Sequence, residues 1–317
     1  MLVTLDGESK AGKTTFVDAI AGEAEYQAAA YASALTPDSE LANLSGPFQE
    51  IMETWVDTMV FDGIHRVTAG NAFRAAAFYV VEKEKVGITK TGFEETDTNT
   101  LRSLLAEEGV RDMLQTDPTI ERRVSSVAQM TGARALCETI FCDEVIEAYR
   151  RDGGANLVIA DARNPVELMR RNRIIGESES HVYPGSILPC FIDTPLEIAV
   201  ARKKDGDYED NLAYITKRRN DDTTRPEYPF VRPAKLMTNM RSWLCQFPCP
   251  ETADGIAVPF HIMNDETLPF ETIQFVASCI ATASHDLSAY LHVSRQPGYQ
   301  PPKFDEAVLR ILASNAL

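Results

Sequence analysis

The residues after Met1 read Leu2-Val3-Thr4-Leu5-Asp6-Gly7-Glu8-Ser9-Lys10-Ala11-Gly12-Lys13-Thr14-Thr15. A short apolar strand leads into G-x-x-x-x-G-K-T, and helix-forming residues continue from Phe16 to Ile20. This is the full Walker A pattern in the strand–loop–helix setting that gives it physical meaning. Gly7 and Gly12 let the backbone curl until successive N–H groups converge on one point. Gly7, Glu8, Ser9, Lys10, Ala11, Gly12, Lys13, Thr14 and Thr15 then form a cradle for the phosphates of ATP. The helix beginning near Lys13 adds its positive dipole end to that site. Lys13 would reach the β- and γ-phosphates, and the Thr14 hydroxyl would hold Mg²⁺ together with them.

A second candidate lies at the end of Asn156-Leu157-Val158-Ile159-Ala160-Asp161. The unbroken apolar run reads as a buried parallel strand, because a sheet covered on both faces has no polar alternation. Ligands of open α/β sheets sit at the carboxyl ends of strands, so Asp161 would lie near the phosphates. There it would orient Mg²⁺ through water or position a substrate-binding arginine, with Arg163 on the same rim. The competing reading is a helix cap for the segment after Asn164-Pro165.

A third group is Arg218, Asp222 and Arg225, at i, i+4 and i+7 on one helical face. Pro226 disfavours helix at Arg225 and ends the element. Such a face is commonly a surface ion-pair ladder. Preceded by Arg202-Lys203-Lys204 and Asp205-Gly206-Asp207, it also has the form of a lid that brings guanidinium groups over phosphates and excludes water.

The elements that must position these groups alternate strand and helix, which predicts a doubly wound α/β fold with a parallel sheet. The first helix should run from about Lys13 to Ala21. Phe48, Ile51, Met52, Trp55 and Met59 mark an amphipathic helix, and Phe73 to Val81 an apolar one. Gly87 to Pro118 suits a small peripheral subdomain. Arg134 to Arg151 is a helix stopped by Asp152-Gly153-Gly154. Leu188 to Ile192 is a second buried strand, followed by a helix over 195–204. Ile256 to Ile262 should be the last core strand, with its return helix over 269–282.

The 317 residues carry 31 basic and 47 acidic side chains, net −16, which argues against nonspecific binding of nucleic acid or anionic membranes. No apolar run has the length of a membrane span. A strand begins almost at the first residue, leaving no room for a leader peptide. The six cysteines form no C-x-x-C or metal-finger spacing. They read as buried or loop thiols in a reducing cytoplasm.

Several motifs in one order resemble bacterial cytidylate (CMP) kinase, a nucleoside monophosphate kinase of the P-loop class. Leu5-Asp6-Gly7 to Lys13 resembles its opening. Thr68-Ala69-Gly70-Asn71-Ala72-Phe73-Arg74 resembles its D-[TS]-G-x-x-Y-R segment. Val124-Ser125-Ser126-Val127-Ala128 with Arg134 resembles V-S-x-V-A…R, and Ala160-Asp161-Ala162-Arg163-Asn164 resembles A-D-G-R-D. Lys217-Arg218 to Arg225, with Pro229 and Pro233-Ala234, resembles the lid segment R-x-x-x-D-x-x-R…P-L-x-P-A. The resemblance implies a P-loop kinase domain over 1–283, with a monophosphate-binding part at about 66–135 and a lid at about 202–232. It implies that Arg74, Arg163 and Arg218 contact nucleotide phosphates, that Ser125 and Arg134 face the base, and that Asp222 meets the sugar. Arg225 would belong to the phosphate clamp, and Lys13, Arg218, Arg225 and Asp161 would carry catalysis. The acceptor implied is CMP or dCMP, with nucleotide substrates as partners and neither nucleic acid nor membrane. Oligomeric state is left open.

The departures concern the acceptor side. Thr68 and Ala69 stand where the family has Asp and Thr or Ser, Ala162 where it has Gly, and Asn164 where it has a base-reading Asp. Residues 24–65 read as an insertion, as do 170–184 and 236–255, and 284–317 as a C-terminal extension. A different phosphorylated metabolite as acceptor, or a nucleotide-binding protein without catalysis, are the alternatives.

Overall fold

The computed structural model describes residues 1–8, 10–34, 61, 63–107, 109–151, 156–163, 165–175, 182, 187–203, 206–223, 234–235, 245–249, 252–258, 260–264 and 280. Strand β1 (Leu2–Gly7) is buried along its whole length and forms the centre of a five-stranded sheet. It lies between β3 (Leu157–Asp161) and β4 (Ile187–Asp193), parallel to both. Strand β2 (Ile64–Thr68) continues the sheet beyond β3, and β8 (Phe260–Met263) continues it beyond β4, again in parallel pairing. The order β2-β3-β1-β4-β8 places β1 where successive connections leave to opposite sides. A crevice opens outside the carboxyl end of such a strand.

Helices cover both faces, which is why β1, β3 and β4 are apolar without alternation. On one face α1 (Lys13–Ala34) lays Phe16, Val17, Ile20, Ala21 and Ala24 against Val3, Leu5, Ile159, Cys190 and Ile192. On the other, Phe141, Cys142 and Val145 of α6 (Ala133–Arg150) and Val166, Leu168 and Met169 of α7 (Pro165–Arg171) pack on Leu2, Val158, Ala160 and Ile187.

The opposite side of α6 enters a second core. There Leu136, Cys137 and Ile140 meet Ala72, Ala75, Ala76 and Val80 of α2 (Ala69–Lys85). Leu101 and Leu105 of α3 (Asp97–Ala106), Leu114 of α4 (Val110–Thr116) and Ile120 and Val127 of α5 (Pro118–Val127) complete it. The short segments expected between Gly87 and Pro118 are therefore helices of one small bundle. Its α5 begins with Pro118 in the first turn and Asp117 accepting from the Thr119 N–H at 2.7 Å. After β4 come α8 (Leu196–Ala201) and α9 (Tyr208–Thr223), which pack through Ala199, Val200 and Ile215.

Two expectations are corrected. Helix α1 runs to Ala34 rather than ending near Ala21, since the Ala-rich segment beyond Gly22 keeps the helix going. The run Ile256 to Ile262 is not one strand. Its first part belongs to β7 (Thr252–Val258), antiparallel to β6 (Cys245–Cys249), which in turn pairs with β5 (Ala234–Lys235). Only β8 enters the parallel sheet. Strand β2 was not anticipated, because an edge strand buried on one position alone leaves little apolar pattern to read. The helices expected over 48–59 and 269–282 lie outside the described residues, apart from helical Ile280.

Among the described residues no helix is long and apolar enough to cross a membrane. Cys137, Cys142 and Cys190 are buried free thiols, and burial pushes the first two up to about 12. Such thiols are inert packing groups.

Phe16 is fully buried between α1 and the sheet. Phe16→Ala should lower unfolding free energy by about 3–5 kcal/mol in urea titrations, the cost of an aromatic-sized cavity. A loss below about 1 kcal/mol would mean that α1 does not pack as described.

Candidate phosphate-binding site

The loop joining β1 to α1 is held in shape by its neighbours. Gly7 has φ +148° and Gly12 φ +92°, both beyond the ordinary range of L residues. A Cβ on Gly7 would run into the carbonyl oxygen of Ile192 in β4, and one on Gly12 would lie 2.5 Å from Asn264 Nδ2. Lys10 takes a left-handed φ of 64° at the loop's outer bend. The buried Asp6 accepts from the Gly7 N–H at 2.6 Å and fixes the entry to the turn. Lys13 Nζ donates to the carbonyls of Gly7 (2.8 Å) and Glu8 (3.2 Å), so its ammonium sits over the loop.

The outer rim is braced from β4, α8 and β8. Asn264 Nδ2 donates to the Ala11 carbonyl at 2.8 Å, and Thr194 Oγ1 lies 2.8 Å from the Asn264 carbonyl. Arg202 donates to the Lys10 carbonyl and to Asn264 Oδ1, each at 3.0 Å. The sequence signalled Arg202 only as one of a basic run. Thr194 and Asn264 carried no signal, because a polar residue just after a strand looks the same whether or not it reaches another loop.

Lys10, Ala11, Gly12, Lys13, Thr14, Asp161 and Arg202 line one cleft of about 250 Å³. Thr14 and Thr15 are exposed on the first turn of α1. Asp161 arrives there because β3 pairs with β1 in the register Leu5↔Asp161. Its side chain is only 6% exposed, and burial raises its carboxyl above the usual carboxylate range, while the charges of Lys13, Arg163 and Arg74 act in the opposite sense. The fold thus gathers Lys13, Arg163 and Arg74 in a cluster whose charges act on Asp161. It joins the loop, the end of β3 and the first turns of α2.

Arg74 also pairs with Glu121 of α5 at 3.2 Å. Ser125 follows Glu121 by four residues and so lies on the same face of α5. Arg134 stands in the first turn of α6, half-buried. The two residues expected at the base therefore stand on adjoining helices of the bundle that carries Arg74.

In α9 the row that packs inward differs from the row of Arg218, Asp222 and Arg225 marked by the sequence. Asn211 and Ile215 point inward, and the next member of that row is Arg219. Arg219 Nε lies 2.7 Å from Glu8 Oε2, and a terminal nitrogen donates to the Thr194 carbonyl at 3.0 Å. Arg218 instead lies over the ring of Tyr214, 5.6 Å from its centroid. The α9 guanidinium paired with the loop is therefore Arg219, through Glu8. Asp222 belongs to α9, but its side chain is not among those described, and Ser9, Asn164 and Arg225 fall outside the described residues.

Compared with models of known protein families the chain matches none, and no curated protein matches it.

Because the folded state raises the Asp161 pKa, ionisation of Asp161 opposes folding at neutral pH. The penalty is present above the folded-state pKa and is relieved as pH falls through it toward the usual 3.8. Asp161→Asn should therefore melt at a higher temperature than wild type at pH 7. The difference should shrink steadily toward pH 4 in calorimetric scans. A variant less stable at pH 7 would show that its cationic neighbours outweigh burial.

Proposed function

We propose that the protein is a P-loop kinase that transfers the γ-phosphoryl group of ATP to a nucleoside monophosphate, CMP or dCMP being the favoured acceptors. The observation that carries this reading is the convergence of Lys13, Arg163 and Arg74 on the buried Asp161 at the carboxyl ends of β1 and β3. Loop N–H groups and Lys13 would hold the donor phosphates from one side. Arg74 and Arg163 would hold the acceptor phosphate from the other, with Asp161 keeping the cations together against their mutual repulsion.

In the transfer, the bond from the γ-phosphorus to the β,γ-bridging oxygen breaks and one to an acceptor phosphate oxygen forms. The products are ADP and a nucleoside diphosphate. Protein groups contribute positioning and charge neutralisation, which is most of what phosphoryl transfer requires. Helix α9 would serve as the lid that excludes water. The exposed Thr14 hydroxyl and the Asp161 carboxylate supply hard oxygen donors at one cleft, a set that suits Mg²⁺. Mg²⁺ bound there would neutralise developing charge on the phosphate oxygens.

Arginines on two elements of the acceptor side favour a phosphorylated acceptor over a neutral one. Ser125 and Arg134, on adjoining helices, would read its base, together with Asn164. An amide at 164 both accepts and donates, so discrimination between CMP and UMP should be weaker than with a carboxylate there. Thr68 and Ala69, in place of a carboxylate and a hydroxyl, favour the rival reading of a nucleotide binder without catalysis.

Coupled ADP release over a panel of nucleoside monophosphates tests both. Turnover with a pyrimidine monophosphate is expected, and Lys13→Ala should lower it by about a hundredfold or more while the circular dichroism spectrum is kept. Undiminished turnover in Lys13→Ala would overturn the phosphate-loop assignment. ATP binding with no turnover on any acceptor would favour the binder.

A further inference from the structure

A loop that cradles phosphates is a poor place for a carboxylate, yet Glu8 occupies it with 5% of its surface exposed. Its charge would repel an incoming triphosphate across a few ångströms of low-dielectric space. The charge is balanced by Arg219, whose Nε lies 2.7 Å away and whose side chain is 12% exposed. A buried ion pair of this kind is seldom a net gain in stability, because desolvation offsets the attraction. Nor is it needed to attach α9. Asn211 already exchanges hydrogen bonds with Lys203 at 2.8 and 2.9 Å, and Ile215 packs on Ala199 and Val200.

The second contact of Arg219 points toward the same loop. It donates to the Thr194 carbonyl, and Thr194 and Asn264 brace Ala11. Arg219 is thus held by an ion pair to Glu8 and by one acceptor, the Thr194 carbonyl, at the mouth of the phosphate site, while Arg218 lies over Tyr214.

We infer that Glu8 is a positioning residue that holds Arg219 at the phosphate loop, and that Arg219 is the α9 guanidinium serving the transferred phosphoryl group. This rests on the phosphoryl-transfer reading above. The pair has two consequences. While Arg219 is present, Glu8 is neutralised and the loop accepts anions. When Arg219 is removed, the loop keeps an uncompensated carboxylate that opposes nucleotide binding.

The two charges are separable by a cycle of Glu8→Gln, Arg219→Ala and the double variant, read by calorimetric titration with Mg·ATP and by steady-state ADP release. Arg219→Ala should weaken ATP binding by about tenfold or more, the effect of one unbalanced charge at close range. Adding Glu8→Gln should restore affinity close to that of wild type without restoring kcat. Glu8→Gln alone should bind ATP at least as tightly as wild type, with kcat lowered by about tenfold. That split between binding and turnover is not produced by a merely structural ion pair.

Should Arg219→Ala fail to fold, Glu8→Gln and the double variant carry the test, since neither leaves a carboxylate unbalanced. A double variant as weak in ATP binding as Arg219→Ala, or Glu8→Gln with unchanged kcat, overturns the inference and leaves the kinase reading intact. Wild-type protein that binds no ATP overturns the kinase reading, and this inference with it, before any substitution is made.

Discussion

The tight contact between Gly7 and the Ile192 carbonyl is the constraint on which the site depends. Strand β1 must stay paired with β4 through Gly7↔Ile192 and then turn at once into the loop that starts α1. Any side chain at 7 would push β1 off β4, and with it the register that places Asp161 opposite Leu5. A single missing Cβ thus connects the sheet's packing to the geometry of the cleft. Gly12 repeats the device at the other end of the loop, where its lack of a side chain admits Asn264. Between them the backbone has little freedom left, which is what a preorganised anion site needs.

The electrostatics follow from that packing. In a protein of net charge −16, a phosphate site must be made by local concentration of cations. The fold brings Lys13, Arg74 and Arg163 from three elements around one buried carboxylate. Burial disfavours the charge on Asp161, and the three cations oppose that effect. The Glu8–Arg219 pair ties the loop between β1 and α1 to α9.

Helix α6 joins the two halves of the site. Its Phe141 and Val145 pack on the sheet, while Leu136 and Ile140 pack in the helical bundle, so the bundle is seated on the sheet through a shared rigid element. Arg74 and Ser125 therefore occupy positions set by α6 relative to the loop, although they lie far apart in the chain.

The sequence by itself determined the local parts. Repetition of apolar residues without alternation marked β1, β3 and β4 as buried parallel strands, and the glycine spacing marked the loop, because both are properties of contiguous chain. It also placed Asp161 at the end of β3 and Arg74 on a helix. What the tertiary structure decided was which of several similar side chains faces inward. Arg218 and Arg219 are equivalent in composition and differ by about 100° around α9, and only the packing of Ile215 on α8 chooses between them. Thr194, Asn264 and Arg202 brace the loop from three distant segments, so no local spacing could reveal them. The division of 252–263 between two sheets was likewise settled by which partner strand each half could reach. Local chemistry is written in neighbouring residues, whereas the orientation of a helix face depends on the whole core against which it packs.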